Sequence, residues 1–148
     1  MLADIATRSP QKSCSQWNDE DELWELGPCL LTQEGIARVR VLHSRIDAAN
    51  NIFEVDAEWF NSYEAEQHLQ HIESISDSTV CWTLTGYALG HSSAMFGREV
   101  FYYEKECLGK GDKRCVVVGI PADDKIEEAR NLKALYHVEN IEGELSLK

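Results

Sequence analysis

Two hydrophobic rhythms alternate along this chain, and the switches between them mark out its elements. Asp19-Glu20-Asp21-Glu22 leads Leu23, Trp24 and Leu26 into a short helix that Gly27-Pro28 should end. Acids favour a helix start, and Gly-Pro favours the chain beyond its end. Ile36 to Ile46 then carries β-branched residues and alternating Arg38 and Arg40, while Phe53, Val55, Ala57 and Trp59 fall on one face of the next segment. With the polar run Asp47-Ala48-Ala49-Asn50-Asn51 between them, these two predict an antiparallel strand pair. Asn61 followed by Glu64 resembles a capping box and predicts a helix to about Glu73. Ser76-Asp77-Ser78 reads as the cap of a second helix, from about Val80 to Phe96. Gly86 and Gly90 weaken that helix, which implies something packed closely on their face. Arg98 to Cys107 and Arg114 to Ile120 read as a hairpin, and Asp123-Asp124 as the start of a last helix ending near Leu135. The order predicts an α+β domain, a largely antiparallel sheet packed with helices.

Residues 7–18, rich in Ser, Gln, Lys and Asn with Pro10, read as a loop or frayed end, so the domain proper is placed at 23–148 and residues 1–22 ahead of it. A chain of 148 residues suits one domain, able to bury roughly two-thirds of its surface without staples. A net charge of −12 with no Lys or Arg cluster argues against direct contact with nucleic acid, which needs a cationic face. No apolar stretch is long enough for a bilayer, and the first residues, Met1-Leu2-Ala3-Asp4-Ile5-Ala6, are too polar for a signal peptide. Five cysteines, an odd number without a small secreted framework, point to a reducing cytoplasm.

Cys81, Glu104, Cys107 and Cys115 form a candidate ligand set for one zinc ion. Thiolates bind zinc well, and a hairpin tip brings two of them together around Gly109-Lys110-Gly111-Asp112. Seven residues separate Cys107 from Cys115, wider than the usual spacing, so three buried structural cysteines is the alternative that spacing alone leaves open. Glu106 and Asp112 are further oxygen donors close in sequence, and Cys14 and Cys29 read as cysteines without partners. His68 and His71 share one helical face with acidic neighbours and read as solvated.

Several ordered motifs carry a resemblance. Ser62-Tyr63-Glu64-Ala65-Glu66-Gln67-His68-Leu69, Val80-Cys81-Trp82, Gly86-Tyr87-Ala88-x-Gly90, Gly97-Arg98-Glu99-Val100 and Cys107-x-x-Lys110-Gly111-Asp112-x-x-Cys115 resemble the vinyl-reductase-type sensory domain of phenol- and xylene-responsive, sigma-54-dependent transcriptional activators. Leu26-Gly27-Pro28-x-Leu30 and Glu34-Gly35 resemble the same region, and the similarity runs over about residues 23–147. The resemblance implies a structural zinc ion on Cys81, Glu104, Cys107 and Cys115. Four protein ligands leave no open position for catalysis. It also implies an apolar pocket for a small aromatic effector, whose binding relieves repression of an AAA+ ATPase domain, in a chain that pairs as a homodimer.

By the same resemblance, Trp59 matches a tryptophan that contacts the effector and Tyr102 a pocket tyrosine. Phe53, Val55 and Ala57 share the face of Trp59, and Thr85 and His91 lie on the central helix. Without the resemblance, these aromatics read as plain core. Leu31 stands where the phenol-responsive members carry a histidine that hydrogen-bonds the phenol hydroxyl. A buried hydroxyl without a partner is penalised, so benzene, toluene or xylene is expected to be preferred over phenol. His91 is either a replacement polar group or a satisfied structural histidine. The chain lacks a phosphate-binding loop, a DNA-binding helix pair and the family's upstream helices, and reads as a cut-down or free-standing sensor. Two other readings are an interaction scaffold, as in vesicle-tethering subunits of this domain type, and an enzyme accessory. No nucleophile–base pair or open metal site supports the last.

Overall fold

The computed structural model describes residues 20–136, except 73 and 124. The N-terminal loop predicted over 7–18 lies outside them. Helix α1 (Glu20–Gln33) leads into strands β1 (Arg38–Asp47) and β2 (Ile52–Phe60), then helices α2 (Tyr63–His71) and α3 (Trp82–Phe96). Strand β3 (Val100–Glu106), a 3-10 turn at Leu108–Lys110, strand β4 (Cys115–Pro121) and helix α4 (Glu127–Tyr136) complete the order. The four strands form one antiparallel sheet in the order β1-β2-β4-β3. The α+β architecture and every predicted element are therefore present.

Alternation along the strands sets the two faces of the sheet. Phe53, Val55, Ala57 and Trp59 are all buried, as their spacing predicts, and join Tyr102 and Val117 in one core with Leu31, Leu84 and Phe96. Helix α1 lies against β1 and α3, and α3 against β3. Phe101 and Val116 point to the opposite face and are also buried, and α4 lies against β3 with its Ala129 buried. The central strand β4 is thus apolar on both sides, which explains its Val116-Val117-Val118 run. Glu58 is buried too, and its carboxylate accepts from the Arg40 guanidinium at 2.6 Å.

Five boundary or packing readings are corrected. Helix α1 does not stop at Gly27-Pro28 but runs through Pro28 to Gln33. The residue before a proline resists the helical region because its Cβ clashes with the ring, and Gly27 has no Cβ. The cap of α2 is Ser62, whose Oγ accepts from the Ala65 N–H, whereas Asn61 sits at φ 52. Glu64 turns away from its own helix and accepts from the N–H groups of Thr83 and Leu84, at 2.8 and 3.0 Å. It therefore covers the start of α3, a role the sequence assigned to Ser76-Asp77-Ser78, while Cys81 occupies the cap position. Gly86 and Gly90 are exposed, and a Cβ at either would meet nothing within 4 Å, so no close packing explains them. Helix α4 starts at Glu127, because Asp123 instead closes a turn onto the Lys125 and Ile126 N–H groups.

Candidate functional site

One end of the β3–β4 hairpin gathers the four predicted ligands. Cys81 arrives at the start of α3, Glu104 and Cys107 at the end of β3, and Cys115 opens β4. Their donor atoms all lie within 4.8 Å of one another, close enough to hold a metal ion. The three cysteines are free thiols with 0% exposure. Two features shape the turn between Cys107 and Cys115. Gly111 supplies φ 97, and a Cβ at Gly109 would run into the Val80 side chain.

The surrounding backbone is arranged for sulfur. The Val80 N–H donates to Cys107 Sγ at 3.5 Å and the Leu108 N–H to Cys115 Sγ at 3.4 Å. Ser62 Oγ lies 3.1 Å from Cys81 Sγ. The Cys81 N–H donates to Glu104 Oε1 at 2.9 Å, and Glu104 Oε2 is buried without a hydrogen-bond partner. Cys81 and Cys115 hold their sulfurs 3.9 Å apart. A tetrahedral ion with metal–sulfur bonds of about 2.3 Å asks for sulfurs roughly 3.8 Å apart. The donor set fits such an ion. A divalent cation there would offset part of the donors' negative charge and tie α3 to the hairpin.

The electrostatics agree with a site built for positive charge. Hydrogen bonds from Cys115 and then Cys81 hold the Cys107 thiol far below its ordinary range. Cys81 is pushed far up, chiefly by Cys107, and Cys115 is pushed up to about 11, also chiefly by Cys107. Burial first, and then the Cys107 sulfur, raise the Glu104 carboxyl to about 7. Crowded together, the four groups oppose one another's ionisation, and a bound cation relieves that opposition. Glu106 and Asp112 are not part of the cluster. Glu106 accepts from Arg114 at 3.0 and 3.1 Å, and Asp112 Oδ2 accepts from the Cys107 N–H at 2.8 Å.

A second region lies between α1, α3 and the sheet. Phe53 is its hub, with ring centroids 5.7 Å from Trp24, 5.2 Å from Phe96 and 6.0 Å from Tyr102. Gly119 makes room for two of these rings. A Cβ there would come within 2.7 Å of Tyr102 and 2.9 Å of Phe53. Leu31 and Trp59 belong to the same core, 5% and 3% exposed. Thr85 is buried, but its hydroxyl donates back to the Cys81 carbonyl at 2.8 Å. His91 stacks parallel to Tyr87 at 6.1 Å and meets the Trp24 ring edge-on at 6.4 Å. It also lies over Gly27, where a Cβ would come within 2.7 Å of the imidazole.

Sequence reasoning missed Trp24, Phe96, Ser92 and Gly119 in this region, and Ser62 and Glu64 beside the cluster. The signal for Trp24 was present: Trp24, Gly27, Pro28 and Leu31 follow helical spacing once the helix is read through the proline. Two smaller readings change as well. Cys29, read as partnerless, is disulfide-bonded. His71 is exposed as expected, but His68 is half-buried with its Nε2 out of water.

No family model matches the chain. Fold and sequence nevertheless agree on a class, the sensory domains of phenol- and xylene-responsive transcriptional activators, to which the chain is homologous. In particular, it is similar to the phenol-responsive sensory domain of the transcription activator PoxR, solved with phenol. That match has a TM-score of 0.72 and 34% identity, and covers 81% of this chain and 59% of the other. The chain is 36% identical over 105 residues to the transcriptional regulatory protein XylR of Pseudomonas putida. It is 35% identical over 106 residues to the phenol regulator MopR of Acinetobacter guillouiae. These alignments take 71% and 72% of this chain, which spans only 18% and 19% of those proteins. Among the described residues, no helix is long and apolar enough to cross a membrane.

Proposed function

We propose that the chain is a non-enzymatic sensor of small aromatic hydrocarbons that controls a transcriptional ATPase, attached or in a partner. Leu31 carries the reading: it is buried in the same apolar core as Phe53, Trp59 and Tyr102. An interior of this composition offers an apolar aromatic effector a large contact surface, and Leu31 gives a hydroxyl no partner at its position. The effector lies among Leu31, Phe53, Val55, Ala57, Trp59 and Tyr102, with Thr85 and His91 on the α3 side. Toluene, benzene or xylene binds more tightly than phenol. A zinc ion on Cys81, Glu104, Cys107 and Cys115 is structural. Effector binding favours one of two arrangements of a cytoplasmic homodimer relative to the ATPase, since a ligand shifts only an equilibrium whose states it binds differently.

Calorimetric titration of the metal-loaded protein with toluene and phenol tests the reading. Saturable toluene binding, tighter than phenol and lost in Trp59→Ala, is expected. Phenol binding tighter than toluene removes the hydrocarbon preference. Binding of neither by folded protein favours the second reading, a metal-stabilised interaction scaffold. That reading draws support from the exposed apolar residues Tyr63, Ile72, Ile75 and Trp82 on and after α2.

A further inference from the structure

Each of the three cluster sulfurs has a nitrogen or oxygen donor beside it. Cys107 Sγ and Cys115 Sγ are addressed by the backbone, through the N–H groups of Val80 and Leu108. Cys81 Sγ instead lies 3.1 Å from Ser62 Oγ, a side-chain hydroxyl at the start of α2, and both residues are fully buried. The place of Cys81 in α3 explains the difference. A side chain at the cap position ordinarily addresses the N–H groups two and three residues on. Glu64 already accepts from those two, Thr83 and Leu84, and the Cys81 side chain makes no cap bond.

We propose that Ser62 is a positioning residue of the metal site, which donates its hydroxyl hydrogen to Cys81 Sγ and so holds that sulfur ready for a metal ion. The proposal rests on reading the cluster as a metal site. Chemistry sets the direction of the bond. As a ligand, Cys81 is a thiolate and carries no hydrogen, so the hydrogen between the two atoms is the serine's. The Ala65 N–H donates to the same Oγ at 3.3 Å, which uses accepting capacity of the oxygen and leaves its hydrogen for the sulfur. A hydrogen bond to a charged acceptor is of the stronger kind, and groups that hold a ligand in this way govern metal affinity. Ser62 and Glu64 thus join the first turn of α2 to the start of α3 by bonds of opposite sense. The hydroxyl gives to the ligand sulfur, and the carboxylate takes from the helix that carries it.

Cobalt(II) is a suitable probe for the full chain, because its thiolate charge-transfer absorption reports on the sulfurs themselves. Ser62→Ala removes the donor and the cap of α2 together. Ser62→Gly removes the donor but keeps most of the cap, because glycine caps a helix nearly as well as serine. Both variants should lose affinity for cobalt(II) and zinc about tenfold, read by competition with a chromogenic chelator. At saturating cobalt(II), both should move the charge-transfer band to longer wavelength, since a sulfur without its hydrogen bond gives up electrons more readily. Loss of a cap alone leaves that band in place. An unshifted band in both variants overturns the proposal, and so does a loss of affinity confined to Ser62→Ala, which would mark the cap. Should Ser62→Ala fold poorly, Ser62→Gly decides alone. If the unaltered protein binds neither cobalt(II) nor zinc, the metal reading fails and the role of Ser62 fails with it. If it binds both and the variants match it, only the role of Ser62 fails.

Discussion

The two ends of the β3–β4 hairpin are organised by opposite physics. At the tip, four donors from three short segments converge, and backbone N–H groups address two of the sulfurs and the carboxylate. Further along, Tyr102 and Gly119 belong to an interior assembled from α1, β2, α3, β3 and β4, where rings meet rings and hydroxyls bond each other. Polar donors in one small volume demand a fixed arrangement, because a misplaced charge is expensive when buried. Apolar surfaces tolerate several arrangements at similar energy. The tip is therefore suited to hold a structure and the interior to accommodate a guest.

The sharpest test of that contrast is metal removal. Chelation of metal-loaded protein, or Cys107→Ala, should cost about 4 kcal/mol or more, roughly 10–20 °C in Tm. The pH dependence should be steeper with metal than without it. Burial raises the Glu104 carboxyl from 4.5 to about 7 in the folded chain. Between those values the metal-free native state keeps a Glu104 proton that the unfolded chain has released, but lacks the Cys107 proton that the unfolded chain holds, so the two offset and its stability changes little through this window. Metal binding needs deprotonated donors and strengthens over the same range. Thermal melts at about pH 5 and about pH 7.5 should show the gap between the two forms widening. If Glu104→Gln leaves the gap between the two forms unchanged, Glu104 lies outside the ligand set.

The interior should respond less sharply. Gly119→Ala places a methyl group against the Tyr102 and Phe53 rings, at 2.7 and 2.9 Å before relaxation. Overpacking of this kind costs about 1–3 kcal/mol, readable in urea denaturation. Aromatic binding should weaken as well, since both rings must shift. A loss of stability with unchanged aromatic affinity would separate this part of the core from the effector site.

Glu64 links the two regions and should matter less again. Its carboxylate caps the start of α3, one turn from the ligand Cys81. Glu64→Ala should cost about 1 kcal/mol, as loss of a helix cap does. It should also lower metal affinity, because Cys81 loses the restraint on its backbone. If stability falls while metal affinity holds, α3 is positioned by the ion and not by the cap.

What the sequence disclosed follows the same division. Cys107 and Cys115 are near neighbours bracketing a turn, so their partnership was legible from spacing, and the motifs supplied Cys81 and Glu104. Strand alternation revealed the face of Phe53, Val55, Ala57 and Trp59, because a period of two is set by the backbone itself. The aromatic hub was not legible in the same way. Trp24 was hidden by a proline expected to end its helix, and Ser92 and Gly119 acquire meaning only when β3 meets α3 and β4. Glu64 was recognised as a capping residue but given to the wrong helix, since its partners lie 19 and 20 residues downstream.

The smallest expected effect is also the one with the opposite sign. Glycine weakens a helix by about 0.5–1 kcal/mol relative to alanine, chiefly through the entropy of the unfolded chain. Such a penalty is usually offset by a close contact that only glycine permits, and that was the expectation for Gly86 and Gly90. Neither makes one here, for a Cβ at either position enters open space. Gly86→Ala and Gly90→Ala should therefore each stabilise the metal-loaded protein by about 0.5–1 kcal/mol, measured by urea denaturation. Destabilisation by either would show that α3 is covered in solution by something that needs its bare backbone. The exposed face of α3 would then be working surface, and the division between a holding tip and an accommodating interior would need a third region.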